Sequence, residues 1–96
     1  MIGDKLNVKA HVIVSGRVQG VYFRGNTRRE ALKHNVNGWV RNLPDGRVEA
    51  IFEGKKEDVD RIIDIVKKGP SHANVTNLEI EWQEYKDEFK DFQILY

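Results

Sequence analysis

The feature that most narrows what this chain can become is the order in which its apolar residues change period. Val8, Ala10, Val12 and Val14 alternate with Lys9, His11 and Ile13, a repeat of two that suits a strand with one buried face. Within residues 22–34 the period lengthens, and Phe23, Thr27, Ala31 and His34 fall on one helical stripe. Val36 to Asn42 and Arg47 to Gly54 read as strands again. Between them, Leu43-Pro44-Asp45-Gly46 carries tight-turn chemistry and predicts a hairpin. From Lys55 to Lys68 the period is helical, with Val59, Ile62, Ile63 and Val66 at i, i+3, i+4 and i+7 and Asp58, Asp60, Arg61, Asp64 and Lys67 turned outward. Gly69 and Pro70 stop that helix, and no strong side-chain cap opens it. Leu78, Ile80 and Trp82 alternate with Glu79, Glu81 and Gln83, predicting a strand within residues 74–85. After a charged connection over residues 86–90, Phe92, Ile94 and Tyr96 return the chain to the sheet edge.

Strand, helix, strand, strand, helix, strand is the order of an α+β, ferredoxin-like βαββαβ sandwich. Two helices then pack on one face of a four- to five-stranded antiparallel sheet. Ninety-six residues allow one modest core, so the expected organisation is a single domain over 1–96 with 1–7 as a loose N-terminal extension. The fold by itself names no activity.

Charge and cysteine content then remove whole classes of chemistry. A net charge of +1 provides no broad basic field for a polynucleotide or an anionic membrane, so any positive site must be local. The absence of cysteine excludes disulfides, thiolate nucleophiles and cysteine-held metal. No signal-peptide run or membrane span is legible, and the expectation is a cytoplasmic monomer without nucleic-acid or membrane partners. His11, His34 and His72 lack metal-ligand spacing, so neither metal nor cofactor is expected. Trp39 and Trp82 sit in strand patterns as packed side chains. Glu79, Glu81, Glu84 and Asp87 read as a solvated acidic stretch.

The informative segment is Gly16 to Arg24. A glycine loop that ends at a helix N-terminus leaves backbone N–H groups unpaired and pointing together, which attracts an anion. Gly20 lets the main chain approach a phosphate, and Arg24 can add a bidentate guanidinium. A plain strand-to-helix turn would use the same glycines. The spacing is not that of a nucleotide-binding lysine loop, because only three residues separate Gly16 from Gly20 and no Gly-Lys-Ser/Thr follows. A phosphocysteine mechanism lacks its thiol, and a dinucleotide fold lacks its repeated parallel crossovers.

Val14-Ser15-Gly16-Arg17-Val18-Gln19-Gly20-Val21-Tyr22-Phe23-Arg24 resembles the first signature of the acylphosphatase family. Gly38-Trp39-Val40-Arg41-Asn42-Leu43-Pro44-Asp45-Gly46-Arg47-Val48, closing at Gly54, resembles the second. The resemblance implies hydrolysis of small acyl phosphates to carboxylate and inorganic phosphate, with phosphate as product and inhibitor and without metal or covalent intermediate. It implies that the backbone amides of Arg17, Val18, Gln19, Gly20 and Val21 and the guanidinium of Arg24 hold the phosphate, and that Asn42 holds the attacking water. Asn42 also stands where an asparagine would merely help the following turn, and Arg17 and Arg41 are expected to be solvated. Two positions depart from the family pattern: Leu43 follows Asn42 where vertebrate-like members carry a small hydroxyl residue, and Gly25, a poor helix former, follows Arg24 where bulkier residues are common.

Two rival readings share the fold. One is a noncatalytic phosphate- or anion-binding domain. The other is an RNA-binding module, whose third strand would carry alternating aromatics where Arg47 to Glu53 offers only Phe52.

Overall fold

The computed structural model describes residues 6–96 and sets the first apolar alternation inside a five-stranded sheet. Strand β1 (Asn7–Arg17) is flanked by β3 (Val48–Lys55) and β4 (Asn74–Gln83), both antiparallel to it. Strand β2 (Asn37–Asn42) pairs antiparallel with β3, and β5 (Phe92–Leu95) closes the far side, giving the order β4-β1-β3-β2-β5. Helices α1 (Phe23–Lys33) and α2 (Lys56–Lys68) complete the expected βαββαβ sequence, with β5 returning to the edge as predicted. Of the anticipated loose extension, residues 1–5 lie outside the described residues, and Asn7 already pairs with Lys55 in β1.

One pairing differs from the antiparallel expectation: β5 runs parallel to β2, so the sheet is mixed. The connection explains it. Residues 84–91 leave β4 at one edge and cross the sheet face opposite the helices without folding back. Buried Glu53 accepts the backbone N–H of Lys86 at 3.3 Å and of Glu88 at 3.1 Å. Asn37 Nδ2 donates to Phe89 O at 3.1 Å, and Gly38 N donates to Asp91 O at 2.9 Å. A chain that crosses from the end of a downward strand to the opposite edge can only run upward there, alongside β2.

The core lies between the sheet and the two helices. Ala10, Val12, Val14, Val40, Val48, Ala50, Phe52 and Phe92 supply the sheet side, and the apolar stripe of α2 (Val59, Ile62, Ile63, Val66) and Phe23 and Ala31 of α1 supply the other. Phe52 and Phe92 stack with ring centroids 5.8 Å apart. Thr27 is buried on the α1 stripe because its hydroxyl donates to Phe23 O at 2.8 Å, which removes the penalty of an unpaired polar atom. On edge strand β4, register places Ile80 and Trp82 on the helix side, opposite Val12 and Ala10, but they stay 41% and 48% exposed at the rim of the sheet. Trp82 is thus less packed than its pattern suggests. The Lys56 ammonium covers it in part, 5.5 Å from the ring centroid.

On the open face, Glu49 holds His11 Nε2 at 2.6 Å and accepts from Arg41 Nε at 2.6 Å. Burial pushes the Glu49 carboxyl upward, but the hydrogen bonds from His11 and Arg41 outweigh it and hold the group below the ordinary glutamate value. A depressed folded value contributes stability that is present above the unfolded value of about 4.3 and is lost as pH falls through the folded one. We therefore expect the melting temperature of Glu49→Gln, followed from about pH 7 down to about pH 3, to fall less steeply than that of the wild type.

Candidate active site

The end of β1 is where regular structure stops and chemistry becomes possible. A register shift at Ser15/Gly16 bulges the strand. Gly16 takes φ 118 where β4 comes so close that a Cβ would overlap the Asn74 carbonyl, so only glycine fits. The chain then turns through Gly20 (φ 73) and Tyr22 (φ 61), both on the left-handed side, before α1 begins. Tyr22 is the N-cap and offers no side-chain bond to the helix, and no acidic residue sits in the first turn. The positive end of α1 is therefore uncapped.

This loop is bolted to the β2–β3 hairpin by one side chain. Gln19 Nε2 donates to Leu43 O at 2.8 Å and to Arg47 O at 2.9 Å, spanning both sides of the Pro44-Asp45-Gly46 turn. The hairpin closes itself with Leu43 N to Arg47 O at 2.8 Å and Gly46 N to Leu43 O at 3.1 Å. Asn42, the last residue of β2, is thereby held against the loop from a distant part of the sequence.

Between these pieces lies a cleft of about 250 Å³ lined by Val18, Gly20, Tyr22, Phe23, Arg24, Gly25, Asn42, Ile94 and Tyr96. Three kinds of polar group meet there without partners. The Asn42 Oδ1 atom is buried and accepts no hydrogen bond among the described residues. The backbone N–H groups of Val18, Gln19, Gly20 and Val21 donate to no backbone acceptor among the described residues. Arg24 forms no ion pair among them; its Cζ sits 5.0 Å from the centroid of the Tyr96 ring, a cation–π contact that leaves the outer nitrogens available. Among the described residues, no aspartate, glutamate or histidine side chain lines the cleft. The buried Asn42 oxygen is costly without a donor, and the loop amides and guanidinium beside it are the donors that an anion would complete.

Of the residues singled out in the sequence, Arg24, Asn42 and Gly20 share this cleft with Val18. Gln19 and Val21 flank them in the loop, and Arg17 is the last paired residue of β1, opposite Asn74. Arg17 and Arg41 are exposed, and Arg41 is engaged by Glu49. The histidines are dispersed: His11 on β1, His34 at the end of α1 within 3.6 Å of Glu30, and His72 exposed after α2. The aromatic wall of Tyr22 and Tyr96 with Ile94 was not read from the sequence, nor was the clasp made by the Gln19 side chain. A glutamine between apolar residues and glycines was the available sign of the clasp; nothing in the spacing marked the wall. Phe52, the one aromatic an RNA-binding reading could use, is fully buried and stacked on Phe92, so it presents no platform to a base.

Comparison with known proteins places the chain in a family. The acylphosphatase family model matches residues 10–94. An acylphosphatase of Syntrophus aciditrophicus is 56% identical over 88 residues, covering 92% of this chain and 92% of the relative. The crystal structure of acylphosphatase from Bacillus subtilis superposes with a TM-score of 0.89 at 36% identity, covering 93% of this chain and 99% of the other. A structure of full-length HypF in its phosphate- and nucleotide-bound form aligns with a TM-score of 0.83 at 28% identity, covering 95% of this chain but only 12% of that longer protein. With matching over nearly its whole length in both sequence and structure, the chain belongs to the acylphosphatase family and is a hydrolase of the acylphosphatase type.

Proposed function

We propose that the cleft hydrolyses small acyl phosphates by direct attack of water on phosphorus. Arg24 and the amides of Arg17, Val18, Gln19, Gly20 and Val21 grip the phosphate, and Asn42 aims the water. The observation that carries this reading is that Asn42, whose buried Oδ1 accepts no hydrogen bond among the described residues, lines the same cleft as Arg24, which forms no ion pair among them. An amide can accept a proton-bearing contact from water and hold its lone pair toward phosphorus without titrating. An acyl phosphate already carries a good leaving group, so positioning and charge stabilisation suffice, and the water's proton can pass to a phosphate oxygen. No metal or covalent intermediate is needed. The product phosphate fits the same cradle and should compete with substrate. The acting unit in this reading is a cytoplasmic monomer, a single domain over 1–96. No described helix is long and apolar enough to cross a membrane.

With benzoyl phosphate in the presence of a chelator, Arg24→Ala and Asn42→Ala each lose about 100- to 1,000-fold in kcat/KM, the magnitude typical of one preorganised transition-state donor. Arg24→Lys fails almost as badly, because an ammonium cannot supply two coplanar donors. The two roles separate in the inhibition constant for inorganic phosphate: it rises steeply in Arg24→Ala and changes little in Asn42→Ala. A fully active Arg24→Ala/Asn42→Ala protein would falsify the assignment. Since no histidine, aspartate or glutamate side chain among the described residues lines the cleft, kcat between about pH 5 and 8 follows the ionisation of the substrate and shows no limb from the enzyme.

Gln19→Ala tests the clasp. Loss of two hydrogen bonds to main-chain carbonyls lowers stability by roughly 1–3 kcal/mol in denaturant unfolding. The larger effect is on kcat, because loop and hairpin are then free to shift Asn42 relative to Arg24. Equal kcat in Gln19→Ala and wild type shows that the clasp serves stability alone.

A further inference from the structure

We propose that the surface of α1 beside the cleft is a binding subsite for the acyl half of the substrate, and that it selects planar, apolar acyl groups of benzoyl size or larger over acetyl. This rests on the acyl phosphate reading above and extends it to the part of the substrate that leaves.

The phosphate cleft does not end at Arg24. A second groove, of about 720 Å³, is lined by Tyr22, Gly25, Arg28, Arg29, Leu32, Lys33 and Ile94, and it shares Tyr22, Gly25 and Ile94 with the first. A substrate whose phosphorus lies beside Arg24 therefore has an open route along α1 for the group on the other side of its bridging oxygen. The surfaces on that route are apolar where few others are. Tyr22 is 64% exposed and Leu32 46%, and both belong to the small set of large apolar side chains left in water; Tyr96, 99% exposed, stands at the other end of the first cleft. Exposed aromatics grouped around one depression mark a ligand contact rather than scattered surface.

Two local features hold the Tyr22 ring in place. Its backbone is left-handed, at φ 61 and ψ 30, a conformation that a tyrosine adopts only when its surroundings impose it. Gly25 then leaves room for the ring: a Cβ there would fall on the Tyr22 ring atoms, so any larger residue must push the ring aside. Gly25 is a poor choice for the first turn of a helix on propensity grounds, and its use here is explained by the ring it accommodates. The result is a flat aromatic face between the phosphate cradle and Leu32, suited to stacking on a planar acyl group.

Charge agrees with this occupant. Arg28, Arg29 and Lys33 border the groove and no carboxylate among the described residues lines it, so an anionic acyl phosphate is drawn in and a cationic acyl group is rejected. Arg28 and Arg29 are partly committed, Arg28 Nε to Phe92 O at 3.0 Å and Arg29 to Asn26 Oδ1 at 2.7 Å, which fixes the groove's walls.

The test compares kcat/KM for benzoyl phosphate and acetyl phosphate in the wild type, Gly25→Ala and Leu32→Ala. The wild type favours benzoyl phosphate by about tenfold or more, the scale of burying one apolar group in a pocket. Gly25→Ala, which displaces the ring while improving the helix, and Leu32→Ala, which removes the far wall, each lower the benzoyl-to-acetyl ratio by about fivefold. An unchanged ratio in both variants, with both substrates turned over, overturns the subsite and leaves the hydrolase reading intact. A wild type that turns over neither substrate overturns both. Concentration-dependent self-association that Leu32→Ala abolishes, with the ratio unchanged, assigns the groove to a second copy of the chain and overturns the proposal as well.

Discussion

Two hydrogen bonds from one carboxamide bring the site together. The loop after β1 and the end of β2 are more than twenty residues apart in sequence, and strand register, which sets Asn42 opposite Val48 and Val48 opposite Val14, brings them side by side but does not tie the loop to the turn. The Gln19 side chain does, by donating to the carbonyls on both sides of the Pro44-Asp45-Gly46 turn. Once that turn is anchored, Asn42 has one place to be, and the loop's own N–H groups have one direction to face. Regular structure on either side makes the anchoring rigid: β1 is paired on both edges almost to the bulge at Gly16, and α1 is packed through Phe23, Thr27 and Ala31. A site that must hold reacting groups to fractions of an ångström benefits from being suspended between two such elements.

What is suspended there is a set of polar groups that the fold leaves unmet. Among the described residues, an uncapped helix start, loop amides without a backbone acceptor and a guanidinium without an ion pair gather beside a buried amide oxygen without a donor, and that oxygen works against stability. A left-handed tyrosine adds strain. Elsewhere the chain follows the opposite rule: Thr27 is satisfied by Phe23 O, and the buried Glu53 is satisfied by two main-chain N–H groups. The proposed site rests on this contrast. Polar frustration concentrates at one cleft, and its components have the charge and direction that a phosphate and an attacking water would complete.

Most of the fold was legible because its elements bury single faces. The alternation at Val8 to Val14 and the stripe Val59, Ile62, Ile63, Val66 became β1 and α2 with boundaries shifted by one to three residues. The Pro-Asp-Gly turn became the hairpin. The parallel direction of β5 was not legible, since it depends on where residues 84–91 cross the sheet, and that crossing is set by Glu53, a glutamate whose burial no periodicity announces. Trp82 looked like a packed residue because alternation reports the face and not the width of the layer above it. In the site, Arg24 and Asn42 were legible from motif and order, and both line the cleft. The Gln19 clasp and the Tyr22 ring over Gly25 were not, because each depends on a contact between side chain and main chain that only the assembled fold brings about.

The most direct measurement is a crystal structure of the protein grown with inorganic phosphate. The expected result is one phosphate in the cleft, its oxygens about 2.7–3.2 Å from the N–H groups of the Val18 to Val21 loop and from the Arg24 guanidinium, with the Asn42 amide joined to it through a water. Phosphate bound elsewhere, or an Asn42 side chain directed away from a phosphate in the loop, contradicts the arrangement on which the chemistry depends.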